Sequence, residues 1–388
     1  MSLNLKISFI FLSIFLFFKP LYKYCEYVLH FPRVNISVIY FILFVILILS
    51  SIYSLKDNYN KIVLNSFWLL LMISIIQLVS FPWAADYSNQ GAKLYLTTIS
   101  SSLVQYWLFW FVGIHIKEIV GNVNFWKIMS YLWLSLAVMI LYSSLSNDIF
   151  GIVLDGTGIY LMLADSFAIF SIFLLCVNKD IKKQTIIILI SIICLFALFS
   201  RASLYCFVIM SFLFLYRENK KIFLIVALSF FAFIYFSISN GIIEDRMLRL
   251  LIGGSDTSQN MRTEHFYRGL EHLSNNWLLG SFMGDVEKNF GNGGEYIHNY
   301  LSFWRQFGII PFLAFFTILL YQTIYIFYAW FKQRVSNPTL NILFYFTIFA
   351  LLEIITSRSY VFPYIWLSIS GISVFINSKI RKSSNGNK

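Results

Sequence analysis

The chain has 388 residues, of which 59% are hydrophobic and only 12% charged, and its mean hydropathy is +0.74. A soluble domain carries about twice that charged fraction, so this composition excludes a single water-soluble core and points to a lipid bilayer as the solvent. The net charge of +11 lies mostly in short loops between apolar runs, where basic residues set topology and contact anionic lipid headgroups, so we expect membrane lipids and no nucleic acid as partners.

Apolar runs recur from one end of the chain to the other. Because a spanning helix needs about 20 apolar residues, the runs predict an all-α, polytopic transmembrane helical bundle of about 12 spans. The first run ends in Lys19-Pro20 rather than at a small-residue cleavage site, which favours a membrane helix over a signal peptide. The predicted spans are residues 5–18, 36–54, 62–80, 96–116, 127–146, 157–177, 185–199, 202–216, 221–240, 308–331, 339–356 and 362–378.

Loop charge predicts the orientation. Four short basic segments fall on one side of the predicted bundle, and the positive-inside rule makes that side cytoplasmic. They are residues 178–183, 217–221, 332–334 and 379–382, whereas the basic loop 19–35 falls on the outer side. The predicted organisation is one integral membrane unit with N-terminal transmembrane helices at 1–240, a large periplasmic loop containing short helices at 241–297, and C-terminal transmembrane helices at 298–388.

A single charge interrupts the apolar run 185–216, within Ser200-Arg201-Ala202-Ser203. As one helix, this run would be about 48 Å long at about 1.5 Å per residue. The hydrocarbon core is only about 30 Å thick. We therefore predict two short spans joined by a tight turn at Arg201, which would face a protein cavity near the outer surface.

The large hydrophilic segment contains a predicted amphipathic helix. Residues 255–260 form an N-cap cluster. Arg262 lies on the apolar face, where it either snorkels beside lipid headgroups or binds an anion in a membrane-proximal cavity, and the spacing does not separate these alternatives. The face is defined by residues recurring at helical spacing, namely Arg262, Phe266, Leu270, Leu273 and Trp277.

A glycine-rich stretch and a histidine follow. The glycines between residues 280 and 294 predict a turning, flexible backbone that could fold over a substrate. His298 comes just before a predicted helical run, Tyr300 to Phe307. The spacing places Leu301, Ser302 and Arg305 on the same face as His298. A helix N-terminus favours anions and keeps an imidazole neutral, so His298 could accept a proton. The alternative is an interfacial histidine with an ordinary hydrogen bond, and no other histidine has a comparable setting.

These motifs, in this order, resemble the shared domain of O-antigen ligases and O-antigen polymerases. The resemblance rests on the Ser200-Arg201 turn, Arg262 with an aromatic residue four later, Trp277-Leu278-Leu279-Gly280, and His298-Asn299-Tyr300-Leu301 with Gly308 beyond it. It covers roughly residues 185–330 in detail. The chain departs from the family pattern at Phe266, where the family often has Trp, at Gln306, where it often has Glu, and at Pro311, where a second glycine is common.

The resemblance implies a metal-independent membrane glycosyltransferase without a cofactor, with its active site facing the periplasm from the bacterial inner membrane. Its donor would be an oligosaccharide on undecaprenyl pyrophosphate. By the same resemblance, Arg201 and Arg262 would bind the pyrophosphate and His298 would deprotonate the acceptor hydroxyl.

Four further residues are lesser candidates. Arg358 could be a third phosphate contact or an interface anchor, and Arg305 could also bind the pyrophosphate. Glu295 and Asn299 are weak candidates for binding the acceptor, and Glu295 could instead orient His298.

Three functions remain open from the sequence. A polymerase, which would join lipid-linked repeat units, is favoured over a ligase because the compact loop and the high Phe, Ile and Asn content resemble proteins of variable polysaccharide loci. A chain-length regulator protein could be its partner. A ligase would transfer finished glycan to the lipid A core. A flippase or transporter would concentrate its charges near the middle of the membrane, and that pattern fits this chain least well.

Overall fold

The computed structural model describes residues 2–32, 35–54, 61–145, 159–239, 257–293, 297–333 and 337–385. Within these ranges every regular element is helical and no strand occurs. The elements are α1 (Leu3–Ser13), a π-helical turn (Ile14–Phe18), α2 (Lys19–Val28), α3 (Ile36–Ser54), α4 (Lys61–Val79), α5 (Phe81–Ala84), α6 (Ala92–Ile99), a second π-helical turn (Ser100–Val104), α7 (Gln105–Ile114), α8 (Ile116–Gly121), α9 (Val123–Leu145), α10 (Ile159–Val177), α11 (Ile181–Ala197), α12 (Arg201–Glu218), α13 (Lys220–Ser239), α14 (Thr257–Asn275), α15 (Gly284–Lys288), α16 (Leu301–Phe307), α17 (Ile309–Lys332), α18 (Pro338–Thr356) and α19 (Ile365–Asn385).

Five helices among the described residues are long and apolar enough to cross a membrane, which indicates a membrane protein. A further two apolar helical stretches, Ile36–Ser50 and Val63–Val79, are shorter. Each of the predicted spans overlaps a helix, although the number of membrane crossings stays a prediction. The five long helices are Leu3–Glu26, Val123–Ser144, Tyr160–Val177, Ile309–Lys332 and Pro338–Thr356.

The first helix is longer than the predicted span 5–18. The segment after Phe18 continues as α2, so Lys19 and Lys23 are helical rather than part of a loop. Pro20 lacks an N–H and its ring clashes with the carbonyl four residues earlier. The π-helical turn directly before α2 changes the hydrogen-bond register there, which allows the chain to pass the proline without a break.

The described chain divides into two compact units, and the sequence-based division at residues 240 and 297 stays a prediction. The first unit comprises Met1–Ser13, Val34–Asn122 and Glu264–Lys388, and the second comprises Ile14–Arg33 and Val123–Thr263. In the first unit, α7 crosses α19 at Gly113, where an added Cβ would lie 2.0 Å from the Ser370 Oγ and 2.4 Å from the Leu367 carbonyl. Small residues of this kind allow apolar helices to approach closely.

Polar side chains also join helices inside each unit. In the first unit, the Trp107 indole donates to Ser74 and the Trp110 indole to Ser66, linking α7 to α4. In the second unit, Trp133 of α9 donates to Ser171 of α10, and Ser191 of α11 bonds to the same Ser171 hydroxyl. Because these groups are buried, each bond satisfies a polar atom that would otherwise be costly in an apolar interior.

Candidate functional site

Arg201 opens α12 directly after a tight turn, as the sequence predicts. Helix α11 ends at Ala197 and α12 begins at Arg201, so residues 198–200 make the whole connection. Phe199 supports the reversal with a φ of 54°, a left-handed conformation that is uncommon outside glycine. The half-buried Arg201 side chain is thereby held at the first position of a helix rather than on a loose loop.

A buried acid fixes this turn from a neighbouring helix. Asp165 of α10 is 7% exposed, and its Oδ1 accepts a 2.6 Å hydrogen bond from the Ser203 hydroxyl. Ser203 and Ser200 share a second bond of 2.8 Å, and both are fully buried. Asp165 is not among the candidates predicted from the sequence, although a lone acid inside an apolar span is itself a signal of function.

Arg262 lies in the second turn of α14 and is half-buried. The buried side of this helix differs from the predicted one. Gly269 and His272 are buried with Leu273, whereas Trp277 lies beyond the end of the helix and is 53% exposed. A long-range contact accounts for the difference, because Ile297 packs against Gly269, where an added Cβ would lie 2.3 Å from the Ile297 Cγ1 and would force it to shift.

His298 lies face to face with a histidine that the sequence analysis had dismissed. The imidazole centroids of His265 and His298 are 6.3 Å apart and their planes differ by 14°. Both side chains are half-buried. His265 belongs to α14, one helical turn after Arg262, so the helix that carries the predicted arginine also supplies a neighbour for the predicted base.

His298 lies just before the nearest helix rather than within it. Helix α16 begins at Leu301, three residues later, and is only seven residues long. The effect of the α16 N-terminus on His298 therefore stays a prediction. Because His298 lies before the start of α16, it does not share a helical face with Arg305 as the sequence predicted.

Arg305 is an interior residue. Its side chain is 4% exposed, and its Nε donates a 2.9 Å hydrogen bond to the Nδ1 of His272. Burial, together with the positive charges of Arg305 and Lys288, lowers the pKa of His272 to about 4. The imidazole is therefore neutral at physiological pH, as an acceptor for a guanidinium must be. As a phosphate ligand Arg305 stays a prediction, but its contacts give it a structural role in joining α14 to α16.

Gln306 fastens the glycine-rich segment to α16. Its Oε1 accepts the Met283 amide at 2.7 Å, and its Nε2 donates to Asp285 Oδ1 at 2.7 Å. Asp285 is 6% exposed, and burial raises its pKa. A glutamate at position 306 would place a second carboxyl beside Asp285, and the two carboxyls would have to share a proton to avoid repulsion.

Gly280 and Gly308 close a backbone contact between the glycine-rich segment and the start of α17. Gly280 (φ 70°) and Gly308 (φ 84°) have positive φ angles that favour glycine, and a Cβ on Gly308 would lie 2.4 Å from the Leu278 carbonyl. Across the same contact, the Ser281 amide donates to the Arg305 carbonyl at 2.8 Å. Residues 278–281 therefore form a fixed turn against the start of α17.

Arg358 is held by an acid that the sequence analysis also overlooked. Its Nε lies 3.4 Å from the Oε2 of Glu353, which is fully buried near the end of α18 and also accepts the Ser357 hydroxyl at 2.7 Å. Two residues further on, the Tyr360 amide donates to the Ser302 Oγ of α16 at 2.7 Å. The loop carrying Arg358 is therefore fastened to the helix that follows His298.

The two predicted acceptor residues differ in what can be said of them. The Asn299 Oδ1 accepts the Leu301 amide at 2.9 Å, which helps α16 to begin. Glu295 lies outside the described residues. Among the described residues, no cluster of three or more His, Cys, Asp or Glu side chains could hold a metal ion.

No protein-family model matches this chain, and no curated protein matches it significantly.

Proposed function

We propose that this protein is a metal-independent membrane glycosyltransferase that joins undecaprenyl-pyrophosphate-linked oligosaccharide units into a surface polysaccharide at the periplasmic face of the bacterial inner membrane. Arg201 and Arg262 bind the pyrophosphate of the donor, and His298 accepts the proton of the attacking hydroxyl. Arg358 is an additional candidate for the donor phosphates.

One observation carries the proposal furthest, namely the His265–His298 pair. Two nearly parallel imidazoles, half-buried and 6.3 Å apart, lie outside the five long apolar helices, and the helix that supplies His265 carries Arg262 one turn earlier. Proton transfer needs a titratable group with a fixed orientation, and a stacked neighbour limits rotation of the His298 ring. His265 acts as a positioning residue for His298 in this account.

The proposed reaction transfers the glycan at the anomeric carbon of the donor. The acceptor hydroxyl oxygen attacks the anomeric carbon, the bond from that carbon to the pyrophosphate oxygen breaks, and the hydroxyl proton passes to the His298 imidazole. Negative charge grows on the departing pyrophosphate. Guanidinium groups bind such oxygens bidentately and stay charged at any working pH, so Arg201 and Arg262 can stabilise the leaving group.

Deletion of the gene tests the proposal and its nearest alternative together. A strain without a polymerase should display lipid A core carrying a single repeat unit on gels of surface glycan, and the long polymer should disappear. Bare core together with lipid-linked polymer would support the ligase instead. Unchanged polymer length in the deletion strain would contradict both.

A further inference from the structure

The turn at residues 277–279, just after α14, exposes three large apolar side chains. Trp277, Leu278 and Leu279 are 53%, 48% and 79% exposed, although they lie between two ordered helices. Hydrogen bonds hold the turn in this position. The Gly280 amide donates to the Asn276 carbonyl at 2.8 Å, and the Trp304 indole donates to the Trp277 carbonyl at 2.7 Å. The exposure is therefore a property of a fixed turn.

The turn is attached to the beginning of a candidate membrane span. The Ile309 amide, the first of α17, donates to the Leu278 carbonyl at 3.2 Å. In the most apolar stretch of α17 only 33% of the residues are buried, against 72% in the corresponding stretch of α18. The exposed side is a stripe of large apolar residues at helical spacing, namely Ile310, Leu313, Phe316, Leu320, Ile324, Tyr328 and Phe331.

Such a stripe along the whole length of an apolar helix needs a nonpolar partner, and for α17 that partner is the acyl chains of the bilayer. The turn then lies at the membrane boundary, because it is bonded to the end of the stripe. Tryptophan is enriched at that level of a membrane. The preceding helix is polar on its outer side, where Glu264 and Arg268 form an exposed ion pair of 2.5 Å.

We propose that residues 277–279 insert into the interfacial layer of the bilayer and continue the lipid-facing stripe of α17. The occupant of this surface is lipid, which has acyl chains for the leucines and headgroups for the tryptophan. The insertion holds the C-terminal end of α14 at the membrane surface while its polar side stays in water. This inference does not depend on the proposed glycosyl transfer.

Site-directed spin labelling of the full chain in phospholipid vesicles tests the proposal. Single cysteines replace Leu279 in the turn, Leu313 in the stripe and Ser274 on the exposed end of α14, in a background with Cys25→Ser, since the other three native cysteines are buried. Relaxation by oxygen, which enters lipid, is compared with relaxation by a water-soluble nickel chelate. The nitroxide at position 279 should favour oxygen severalfold more than the one at 274, and resemble position 313.

Two results would overturn the proposal. Equal, water-like accessibility at positions 279 and 274 would place the turn in solvent. Protection of position 279 from both reagents would mean that protein covers it. A second label replacing Trp277, also exposed, keeps the test decisive if the Leu279→Cys chain does not fold.

Discussion

The two regions that carry the proposed chemistry are built in contrasting ways. The turn at Arg201 is local, since it is closed by residues 198–200 and fixed by one acid on an adjacent helix through Ser203. The region around His298 is assembled from distant parts of the chain, because α14, α16 and the loop after α18 meet there through His265, His272 and Tyr360. A turn formed by neighbouring residues can be predicted from the sequence, whereas a region assembled from distant residues largely cannot.

The largest effect is expected at the local turn. Arg201→Lys should lower polymer formation on the order of 100-fold, almost as much as Arg201→Ala, because lysine keeps the charge and loses the bidentate contact. Polymer length and rate in membranes with matched protein levels are the measurement. Arg217→Lys, at the opposite end of the same helix, is the control and should leave activity unchanged. Full activity in Arg201→Lys would show that a point charge suffices.

The next effect concerns the assembled region. His265→Ala should lower kcat about 10-fold with little change in KM, because the His298 ring loses its neighbour while the donor site is untouched. His265→Phe, which keeps a flat ring, should restore most of the rate. A phenylalanine variant as slow as the alanine variant would assign His265 a role other than ring orientation.

A stability comparison tests whether the glycine contact is rigid. Gly308→Ala should destabilise the protein far more than Gly91→Ala, although both glycines have positive φ. Gly308 (φ 84°, ψ 175°) and Gly91 (φ 56°, ψ −144°) lie in a backbone region that is essentially restricted to glycine, which costs each alanine variant about 1–3 kcal/mol. The Cβ at 308 would also lie 2.4 Å from the Leu278 carbonyl, whereas nothing lies within 4 Å at 91. Overpacking of this kind adds about 1–3 kcal/mol. Equal melting temperatures of the two variants in detergent would show that the turn shifts to accommodate the added methyl group.

The smallest effect is a pH dependence of stability. The pKa of His272 is about 4 in the folded protein, below its ordinary value of 6.5. The unfolded chain therefore binds more protons between these values, so stability should be complete above pH 6.5 and decline as the pH falls towards 4, by at most about 3 kcal/mol. In His272→Asn, which keeps an acceptor for Arg305 but cannot titrate, the melting temperature should fall less between pH 7 and pH 5. Melting temperatures that fall equally with pH in the wild-type protein and in His272→Asn would contradict the assignment of this pH dependence to His272.

The sequence predicted the helices and the Arg201 turn because both follow from local patterns of apolar residues and charge. It placed the inner side of α14 on the apolar series ending at Trp277, whereas that side contains Gly269 and His272. This error has a physical cause. The inner side is set by Ile297, which approaches Gly269 from a distant part of the chain, and no periodicity within α14 reports that contact. The acids Asp165 and Glu353 did leave a local signal, since each is a lone charge in an apolar helix.

Reconstitution gives the most direct test of the central claim, that guanidinium groups and the His298 imidazole perform glycosyl transfer without a metal. The purified protein in vesicles receives a synthetic undecaprenyl-pyrophosphate-linked repeat unit and excess EDTA, and lipid-linked polymer is resolved by gel. We predict that the wild-type protein and the control His30→Asn elongate the glycan, and that His298→Asn does not. Polymer from His298→Asn at the wild-type rate would contradict the account.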